Sequence, residues 1–368
     1  MKRYWLSALA FSCLSVGIGF GSLGLVPRHH TLAFQRSTGA VARGRTQLPP
    51  DAKTSRRFAT RATAAKRPTG STPSPTSVIS GTPFVSGPIY YTNQVVALMY
   101  HDVQTRRLPG DVITPQTFAQ ELQLFKQDHY HVVTLSQVTN FLRGRAPIPP
   151  NAVLITFDNG YESFYHTVYP MLLKYRDPAV LFAIVRWLSP PYKKGLFRSL
   201  DWTQVAKMYR SGLVTVDPQT YNLHHAVQVG PTETSPATVG RIYNPSTKQV
   251  ESLQAYTQRV LSDLRLARIE VMNHLHEKTV NAMSYPFGDY NPELIHLIHQ
   301  AGYKYMFTAS FGWGILRRTN PATLYRIDAG SPYFTPQGLV ETIRQIAADT
   351  AHSPAWHAPS RYVQVWHY

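Results

Sequence analysis

The stretch Val153-Leu154-Ile155-Thr156-Phe157-Asp158-Asn159-Gly160-Tyr161 is an apolar run that stops abruptly at a carboxylate, an amide and a glycine. It predicts a buried β-strand that delivers Asp158 and Asn159 at its carboxyl end. Active sites of α/β folds are usually built from polar groups in this position. We therefore expect an α/β protein with a functional site around Asp158.

The segments around this strand alternate in a regular way. From Val95 onward, short β-rich runs alternate with longer helical periods, which predicts parallel strands joined by crossover helices. Thr114 and Pro115 are typical of a helix start, as N-cap and first helical residue. The pattern fits a distorted or incomplete (β/α) barrel over residues 93–350, and an open doubly wound sheet is the alternative. The predicted strands cover 95–100, 132–135, 152–157, 179–185, 214–216, 281–285, 305–309 and 324–327, and the predicted helices lie near 115–129, 136–143, 161–175, 202–210, 251–276, 292–301 and 335–348.

Composition limits the class of protein. The 368 residues are 43% hydrophobic and 12% aromatic, which is enough to bury a substantial core. Cys13 is the only cysteine in the sequence, so a disulfide framework and a thiolate metal cluster are excluded. No nucleic-acid recognition motif accompanies the basic residues, and we expect no nucleic-acid partner.

The two ends of the chain differ from the middle. Residues 4–26 are apolar and close to the roughly 20 residues that span a bilayer, so 1–26 are interpreted as a signal anchor, with a cleaved signal peptide as the alternative. Residues 27–92 are rich in Pro, Ser, Thr and Arg, which predicts a disordered basic tether, either lying on anionic lipid or wall polymer or serving as a plain linker. Residues 225–246 are polar and turn-rich and predict a surface loop beside the site. Residues 351–368 form an aromatic tail, for which packing against the domain is favoured over stacking on sugars.

Several ordered segments resemble the polysaccharide deacetylases, the NodB-like carbohydrate esterases. The segment Thr156–Gly160 is similar to their first signature, Thr-Phe-Asp-Asp-Gly. Residues 219–224 read Gln-Thr-Tyr-Asn-Leu-His and resemble the His-Thr-Tyr-Asp-Leu-His of the branch that acts on β-1,6-linked N-acetylglucosamine polymers. Shorter matches are Tyr100-His101-Asp102, Leu200–Val205, Ser284–Gly288 and Leu324–Ile327. Together they cover about residues 93–347, and they imply the deacetylase fold.

The resemblance also implies roles for individual residues. Asp158 matches the catalytic base, and His101 matches the acid that protonates the leaving amine. His224, Asn159 and Gln219 fall on the positions that hold a divalent, zinc-like metal. The residues implied to line the sugar groove, with Arg326 as a group that orients others, are Trp202, Tyr221, Tyr285, Pro286, Phe287 and Arg326. Alternatives to a groove role are a helix anchor for Trp202 and a surface salt bridge for Arg326.

The expected activity is removal of acetyl groups from an acetylated polysaccharide or peptidoglycan-type glycan. The resemblance places the domain outside the cytoplasm, anchored in the membrane or secreted if the first segment is cleaved. Two metal positions differ from the family pattern, because Asn159 replaces an Asp and Gln219 replaces a His. Neutral amides bring no charge to a metal, so zinc affinity is expected to be low. Three interpretations follow: a deacetylase with unusual ligands, a relative that binds polysaccharide without hydrolysing it, and metal-independent hydrolysis by Asp158 and His101 alone.

Overall fold

The computed structural model describes residues 87–105, 110–195 and 197–352. Within these ranges, packing begins before residue 93, because Tyr91 is buried and its hydroxyl donates a hydrogen bond to the carbonyl of Ala152 at 2.9 Å. The predicted membrane segment 1–26, the tether up to residue 86 and the tail from residue 353 lie outside the described residues. None of the helices in the described part of the chain combines the length and apolar character needed to cross a bilayer.

The strands and helices alternate as expected for an α/β protein. The strands are β1 (Gln94–Tyr100), β2 (Asp102–Val103), β3 (Val112–Ile113), β4 (His131–Val132), β5 (Ala152–Asn159), β6 (Ala179–Ala183), β7 (Lys193–Lys194), β8 (Phe197–Arg198), β9 (Val214–Pro218), β10 (Ala226–Gln228), β11 (Thr234–Pro236), β12 (Tyr243–Asn244), β13 (Gln249–Val250), β14 (Ala282–Ser284), β15 (Tyr305–Phe307), β16 (Ile315–Leu316) and β17 (Ile327–Asp328). The helices are α1 (Pro115–Gln127), α2 (Leu135–Leu142), α3 (Tyr169–Tyr175), α4 (Trp202–Arg210), α5 (Leu253–Leu275), α6 (Pro292–Gln300) and α7 (Pro336–His352).

The main sheet has the strand order β16-β1-β5-β6-β9, with β17 also paired to β1 and β4 to β5. The pairings β1–β5, β5–β6 and β6–β9 are parallel, and β1, β5 and β6 are buried along their whole length. Such continuous apolar strands are typical of parallel sheets covered on both faces. In this register Asn159 is level with Ala183 and Pro218, so the carboxyl ends of three neighbouring strands lie at one edge.

Alternation along the strands determines which side chains face inward. Leu154, Val180 and Phe182 belong to an inner cluster together with Phe307, whereas Ile155 and Phe157 pack in the larger cluster that includes the helices. Because strand side chains alternate, Asp158 lies on the same face of β5 as Leu154. The catalytic candidate therefore lies at the end of the inner face.

The described strands do not form one closed ladder. Among the described strands, β14 pairs only with β15 in a separate parallel ladder, and the pairing of β15 outside that ladder is the isolated Phe307–Leu324 bridge. At the other gap the Asp217 carboxylate of β9 accepts a hydrogen bond from the backbone N–H of Ala282 at 3.0 Å. Pro218, the last residue of β9, has no N–H to offer a neighbouring strand. The mixed α/β fold with a parallel sheet is confirmed, but the ladders are not continuous around a barrel.

Helix boundaries follow the sequence expectations closely, with local differences. Thr114 caps α1 by accepting from the Thr117 N–H at 3.1 Å, as predicted. The predicted helix 161–175 begins as a π-helix at Phe164–Val168 and becomes α-helical only at α3. Pro170 lacks an N–H for the regular helical ladder, which accounts for the irregular first turn. The strand predicted at 132–135 ends at Val132 because Thr134 caps α2.

The turn-rich segment after His224 is ordered. It forms two short hairpins, β10–β11 and β12–β13. Arg259 of α5 fixes this segment. It donates hydrogen bonds to the carbonyls of Ala237 at 2.7 Å and Gly240 at 3.0 Å, and it forms an ion pair with Glu251. The segment predicted to be a surface loop is therefore folded into two hairpins rather than being an irregular coil.

Candidate active site

Asp158 is the centre of the site, at the end of β5 and 3% exposed. Its Oδ1 accepts a hydrogen bond from Arg326 Nη1 at 2.7 Å. Its Oδ2 accepts three, from Arg326 Nη2 at 2.8 Å, Ser284 Oγ at 2.8 Å and Gln219 Nε2 at 3.0 Å. Each carboxylate oxygen offers about two acceptor positions, so Oδ2 is fully used, whereas Oδ1, with a single hydrogen bond, keeps one position for another donor.

The charge state of Asp158 follows from these partners. Burial by itself raises the pKa of this carboxyl, but the charge and hydrogen bonds of Arg326, followed by His101 and the Ser284 hydroxyl, outweigh burial and hold the pKa below its usual value. Asp158 is therefore an anion at neutral pH. An ionised carboxylate with a free acceptor position has the chemistry of a general base.

Arg326 is fully buried and uses every donor it has. Besides the two bonds to Asp158, Nη1 donates to Thr156 Oγ1 at 3.0 Å, Nη2 to Ser284 Oγ at 2.9 Å, and Nε to the Thr308 carbonyl at 2.9 Å. These contacts account for all five guanidinium N–H groups. Arg326 thus orients Asp158 and is not a surface ion pair.

Asn159 and Gln219 present two amide oxygens that have no hydrogen-bond partner. The Asn159 Nδ2 donates to the Tyr161 hydroxyl at 3.3 Å, and the Gln219 Nε2 donates to Asp158, but Asn159 Oδ1 and Gln219 Oε1 are buried and unpartnered. Asn159 also has a positive φ of 73°, a conformation that Asn and Asp tolerate better than other non-glycine residues. Leaving buried acceptors unsatisfied is costly, so these oxygens mark a place for a donor or a cation.

His224 follows Gln219 in the same loop and lies under an aromatic ring. Its ring centroid is 4.5 Å from that of Phe287 and 6.5 Å from that of Trp187. Burial lowers the pKa of His224 to about 4, so the imidazole is neutral near pH 7. A neutral imidazole is the form that binds a metal.

His101 follows β1 and is accompanied by two carboxylates. Its Nδ1 lies 3.6 Å from Asp111 Oδ2, and one ligand atom each of His101, Asp111 and Asp328 lie within 4.8 Å of one another. Burial, followed by the charge of Asp111, raises the pKa of Asp328 to about 7. His101 thus lies beside two carboxylates at the carboxyl end of β1, where an imidazole can serve as a general acid.

The groove aromatics occupy different environments. Phe287 is 52% exposed and touches the His224 ring, whereas Tyr285 is buried, donates to the Ala322 carbonyl at 2.8 Å and stacks on Tyr290 at 5.0 Å. Pro286 is also buried, and it begins the short 3₁₀ turn that presents Phe287 with a φ of 59°.

Trp202 and Tyr221 lie further along the loops. Trp202 is the first residue of α4 and stacks on His274 of α5 with a centroid distance of 4.1 Å. The backbone N–H of Tyr221 donates to Asp263 Oδ1 at 2.8 Å, which fixes the loop that carries Gln219 and His224. The structure thus brings Phe287 to His224, while the contacts of Trp202 are with the helix it packs on.

Sequence reasoning missed several residues of the site. Asp111 belongs to no recognisable sequence motif, so the sequence did not indicate that it is part of the site. Asp328 lies two residues after Arg326 on the same edge, which is the spacing that repeats a face of a strand. Tyr161 and Trp187, whose rings are 6.3 Å apart, lie beside Asn159 and His224 and were not part of any recognisable motif.

Part of the chain is similar in sequence to a known family. Residues 145–306 match the family model described as Polysaccharide deacetylase. A poly-β-1,6-N-acetyl-D-glucosamine N-deacetylase of Escherichia coli K12 is 28% identical over 235 residues, covering 60% of this chain but only 34% of the relative. The enzyme of the same name from Staphylococcus epidermidis is 26% identical over 233 residues, covering 60% of this chain and 73% of the relative. The matched region thus spans about a third of the Escherichia coli relative.

Solved structures agree on the fold. A de-N-acetylase from Aggregatibacter actinomycetemcomitans superposes with a TM-score of 0.60 at 24% identity, over 68% of this chain and 99% of the other. IcaB from Ammonifex degensii gives a TM-score of 0.54 at 24% identity, over 72% of this chain and 99% of the other. The region matched by the family model includes Asp158, Gln219, His224 and Ser284. Residues 145–306 thus match the polysaccharide deacetylase family model, and the solved deacetylase structures share the fold of this chain.

Proposed function

We propose that this protein is a polysaccharide deacetylase that hydrolyses the acetamido groups of N-acetylglucosamine-containing polymers. The observation that carries the proposal is the retained acid–base pair. Asp158 is ionised, fixed by Arg326 and Ser284, and keeps one free acceptor position on Oδ1. His101 stands beside the carboxylate of Asp111. A carboxylate base and an imidazole are the two groups that hydrolysis of an amide requires.

The chemistry assigns one proton transfer to each residue. Asp158 accepts a proton from a water molecule as the water oxygen bonds to the acetyl carbon. His101 donates a proton to the sugar nitrogen as the carbon–nitrogen bond breaks. Acetate and a free amine leave, and the two residues return to their starting states when a proton passes between them through solvent.

The residues at the metal positions fit a divalent cation through neutral donors alone. Asn159 Oδ1 and Gln219 Oε1 are orphaned oxygens, and the imidazole of His224 is neutral. When bound, a cation there would polarise the acetyl carbonyl and lower the pKa of a water molecule. Because no anionic ligand is present, we expect this ion to be held weakly and to dissociate during purification.

A second candidate function is binding of the polymer without hydrolysis. One observation favours it: Gln219 Nε2 donates to Asp158, so this side chain serves the hydrogen-bond network of the base instead of acting as a free ligand. Under this alternative, Phe287 supplies the sugar platform and the acid–base pair is idle.

Acetate release separates the two functions. The full-length protein is incubated with β-1,6-linked N-acetylglucosamine oligomers, with chelator or with added Zn²⁺, Co²⁺ or Mn²⁺. Hydrolysis predicts metal-stimulated acetate release that the His101→Gln variant lacks, and His101 is a suitable target because it is outside the buried network around Asp158. Oligomer binding without acetate under any metal would refute hydrolysis and favour the binding function.

We further propose that the domain works outside the cytoplasm, held at the membrane by residues 4–26 or secreted if that segment is removed. The support is the apolar character of the segment and the polymeric substrate. Fractionation of cells, with the length of the mature chain measured by mass spectrometry, tests both forms of this proposal.

A further inference from the structure

A short hairpin next to the site carries unpaired positive charges. It consists of β7 and β8, in which Lys193 lies opposite Arg198 and Lys194 lies opposite Phe197. We call this pair of strands the cationic hairpin. Lys193, Lys194 and Arg198 are exposed, and none of them forms an ion pair with a carboxylate of the described residues. Like charges directly opposite each other destabilise a hairpin, so a compensating partner is missing.

Several contacts hold the cationic hairpin on the residues beneath it. Ser199 Oγ donates to the Trp187 carbonyl at 2.6 Å, and the Tyr192 N–H donates to Ser199 Oγ at 2.7 Å. The rings of Trp187 and Tyr192 stack with a centroid distance of 4.7 Å. The backbone that carries the three cations is therefore held in place, although the repulsion between the cations destabilises the hairpin.

The residues beneath the hairpin also connect it to Asn159, next to the proposed catalytic base Asp158. The Phe197 ring is 5.7 Å from the Tyr161 ring, and the Tyr161 hydroxyl accepts from Asn159 Nδ2 at 3.3 Å. The Glu162 N–H donates to the Arg198 carbonyl at 2.8 Å, which joins the hairpin to the segment immediately after β5. The hairpin is therefore adjacent to the segment that carries Asn159, and Lys194, which pairs with Phe197, lies on the same face of the hairpin as Phe197.

Charge is distributed unevenly around the site. On the side of β1 and β17, Asp111 and Asp328 accompany His101, whereas the hairpin carries Lys193, Lys194 and Arg198. The reacting acetamido group is neutral, so the cations of the hairpin do not serve it. They match a negative charge elsewhere on the same polymer.

We propose that the cationic hairpin recognises an anionic substituent, a carboxylate or a phosphate, on the glucosamine polymer bound in the groove. The inference rests on the proposed function, since it assumes that the groove binds such a polymer. It narrows the substrate class from neutral poly-N-acetylglucosamine to an anionic acetylated glycan. Lys193, Lys194 and Arg198 are specificity residues in this assignment and take no part in bond making.

The test compares three oligomers of equal length by isothermal titration calorimetry with the full-length protein. One is neutral β-1,6-linked N-acetylglucosamine, one carries O-succinyl groups and one carries O-phosphate groups. We expect an anionic oligomer to bind on the order of tenfold more tightly at low salt, with the preference lost at high salt. The tighter of the two anionic oligomers identifies the source of the charge.

Two triple variants provide the decisive comparison. Lys193→Gln/Lys194→Gln/Arg198→Gln is expected to abolish the preference while leaving binding of the neutral oligomer unchanged. The matched control, Lys174→Gln/Lys278→Gln/Lys304→Gln, removes the same charge from exposed residues that precede β6, β14 and β15, at the opposite edge of the strands. It should keep the preference. Equal affinity for neutral and anionic oligomers, or an equal loss in both variants, overturns the role of the hairpin. Failure of every oligomer to bind overturns the proposed function as well.

Discussion

Replacing Arg326 with Met should make the stability of the protein depend on pH in a defined direction. The substitution leaves the Asp158 carboxylate buried without its guanidinium, and removing one partner of a buried ion pair typically costs about 3–5 kcal/mol. In the native protein the pKa of Asp158 is lowered, so the pair contributes stability above the unfolded pKa of about 3.9, and this contribution is lost as the pH falls.

In the Arg326→Met variant, the contribution of Asp158 to stability changes with pH in the opposite direction. Without Arg326 the desolvation of Asp158 dominates, so its folded pKa rises above the unfolded value and the variant is least stable when the carboxyl must ionise. The difference in free energy of unfolding between native protein and variant should therefore be small near pH 4 and reach the full value of about 3–5 kcal/mol near pH 7. Urea denaturation followed by circular dichroism at several pH values measures it.

The double variant Asp158→Asn/Arg326→Met is the control. It removes both charges, so it should be more stable than Arg326→Met alone at pH 7 and show little of the pH dependence. A penalty for Arg326→Met that is the same at pH 4 and pH 7 would refute the reasoning, because it would mean that lost packing, and not the uncompensated carboxylate, sets the cost.

Three further predictions concern the metal positions, the groove and the gap in the sheet. Asn159→Asp together with Gln219→His should raise zinc affinity by orders of magnitude, measured by calorimetry and by metal content after dialysis; unchanged affinity would show that the pocket is not a metal site. Phe287→Ala should weaken oligosaccharide binding with little change in melting temperature, because Phe287 is 52% exposed. Trp202→Ala should lower the melting temperature, because Trp202 stacks on His274. The opposite result would mean that Trp202 binds the sugar and that Phe287 stabilises the fold. Burial raises the pKa of Asp217 to about 7, so folding favours its neutral form, and the native protein should lose up to about 4 kcal/mol relative to Asp217→Asn as the pH rises from about 4 to about 7. Parallel stability profiles for the two proteins would contradict this assignment.

The sequence predicted the elements of the fold well where the pattern was local. The limits of α4 agree residue for residue, because Asp201 and Gln204 form a capping box at its start. The parallel pairing of β1, β5, β6 and β9 was predicted from the alternation of strands and helices. The gap between β9 and β14 could not be read from the sequence, because it depends on which backbone groups meet across separated segments. Nothing in the sequence around Asp217 indicates that its carboxylate replaces a strand pairing.

The site shows the same division. Asp158, His101, His224 and Arg326 were identified through motifs, and the structure brings Arg326 into direct contact with Asp158. The sequence did not reveal that Gln219, just after β9, donates to Asp158 of β5, because this contact passes over the intervening strand β6. Nor did it indicate Asp111, which lies next to His101 because β3 pairs with β2.

The hydrogen bonds around Asp158 also connect parts of the sheet that the strands leave unconnected. Asp158 belongs to β5, Ser284 to the separate β14–β15 ladder, and Arg326 precedes β17. Selection for a folded protein would therefore retain this cluster whether or not the protein turned over a substrate. In a substitution scan scored by abundance, Asp158 and Arg326 should behave like core residues. His101 lies outside that network, so tolerance at His101 in a functional screen, and not at Asp158, would distinguish a binding protein from a hydrolase.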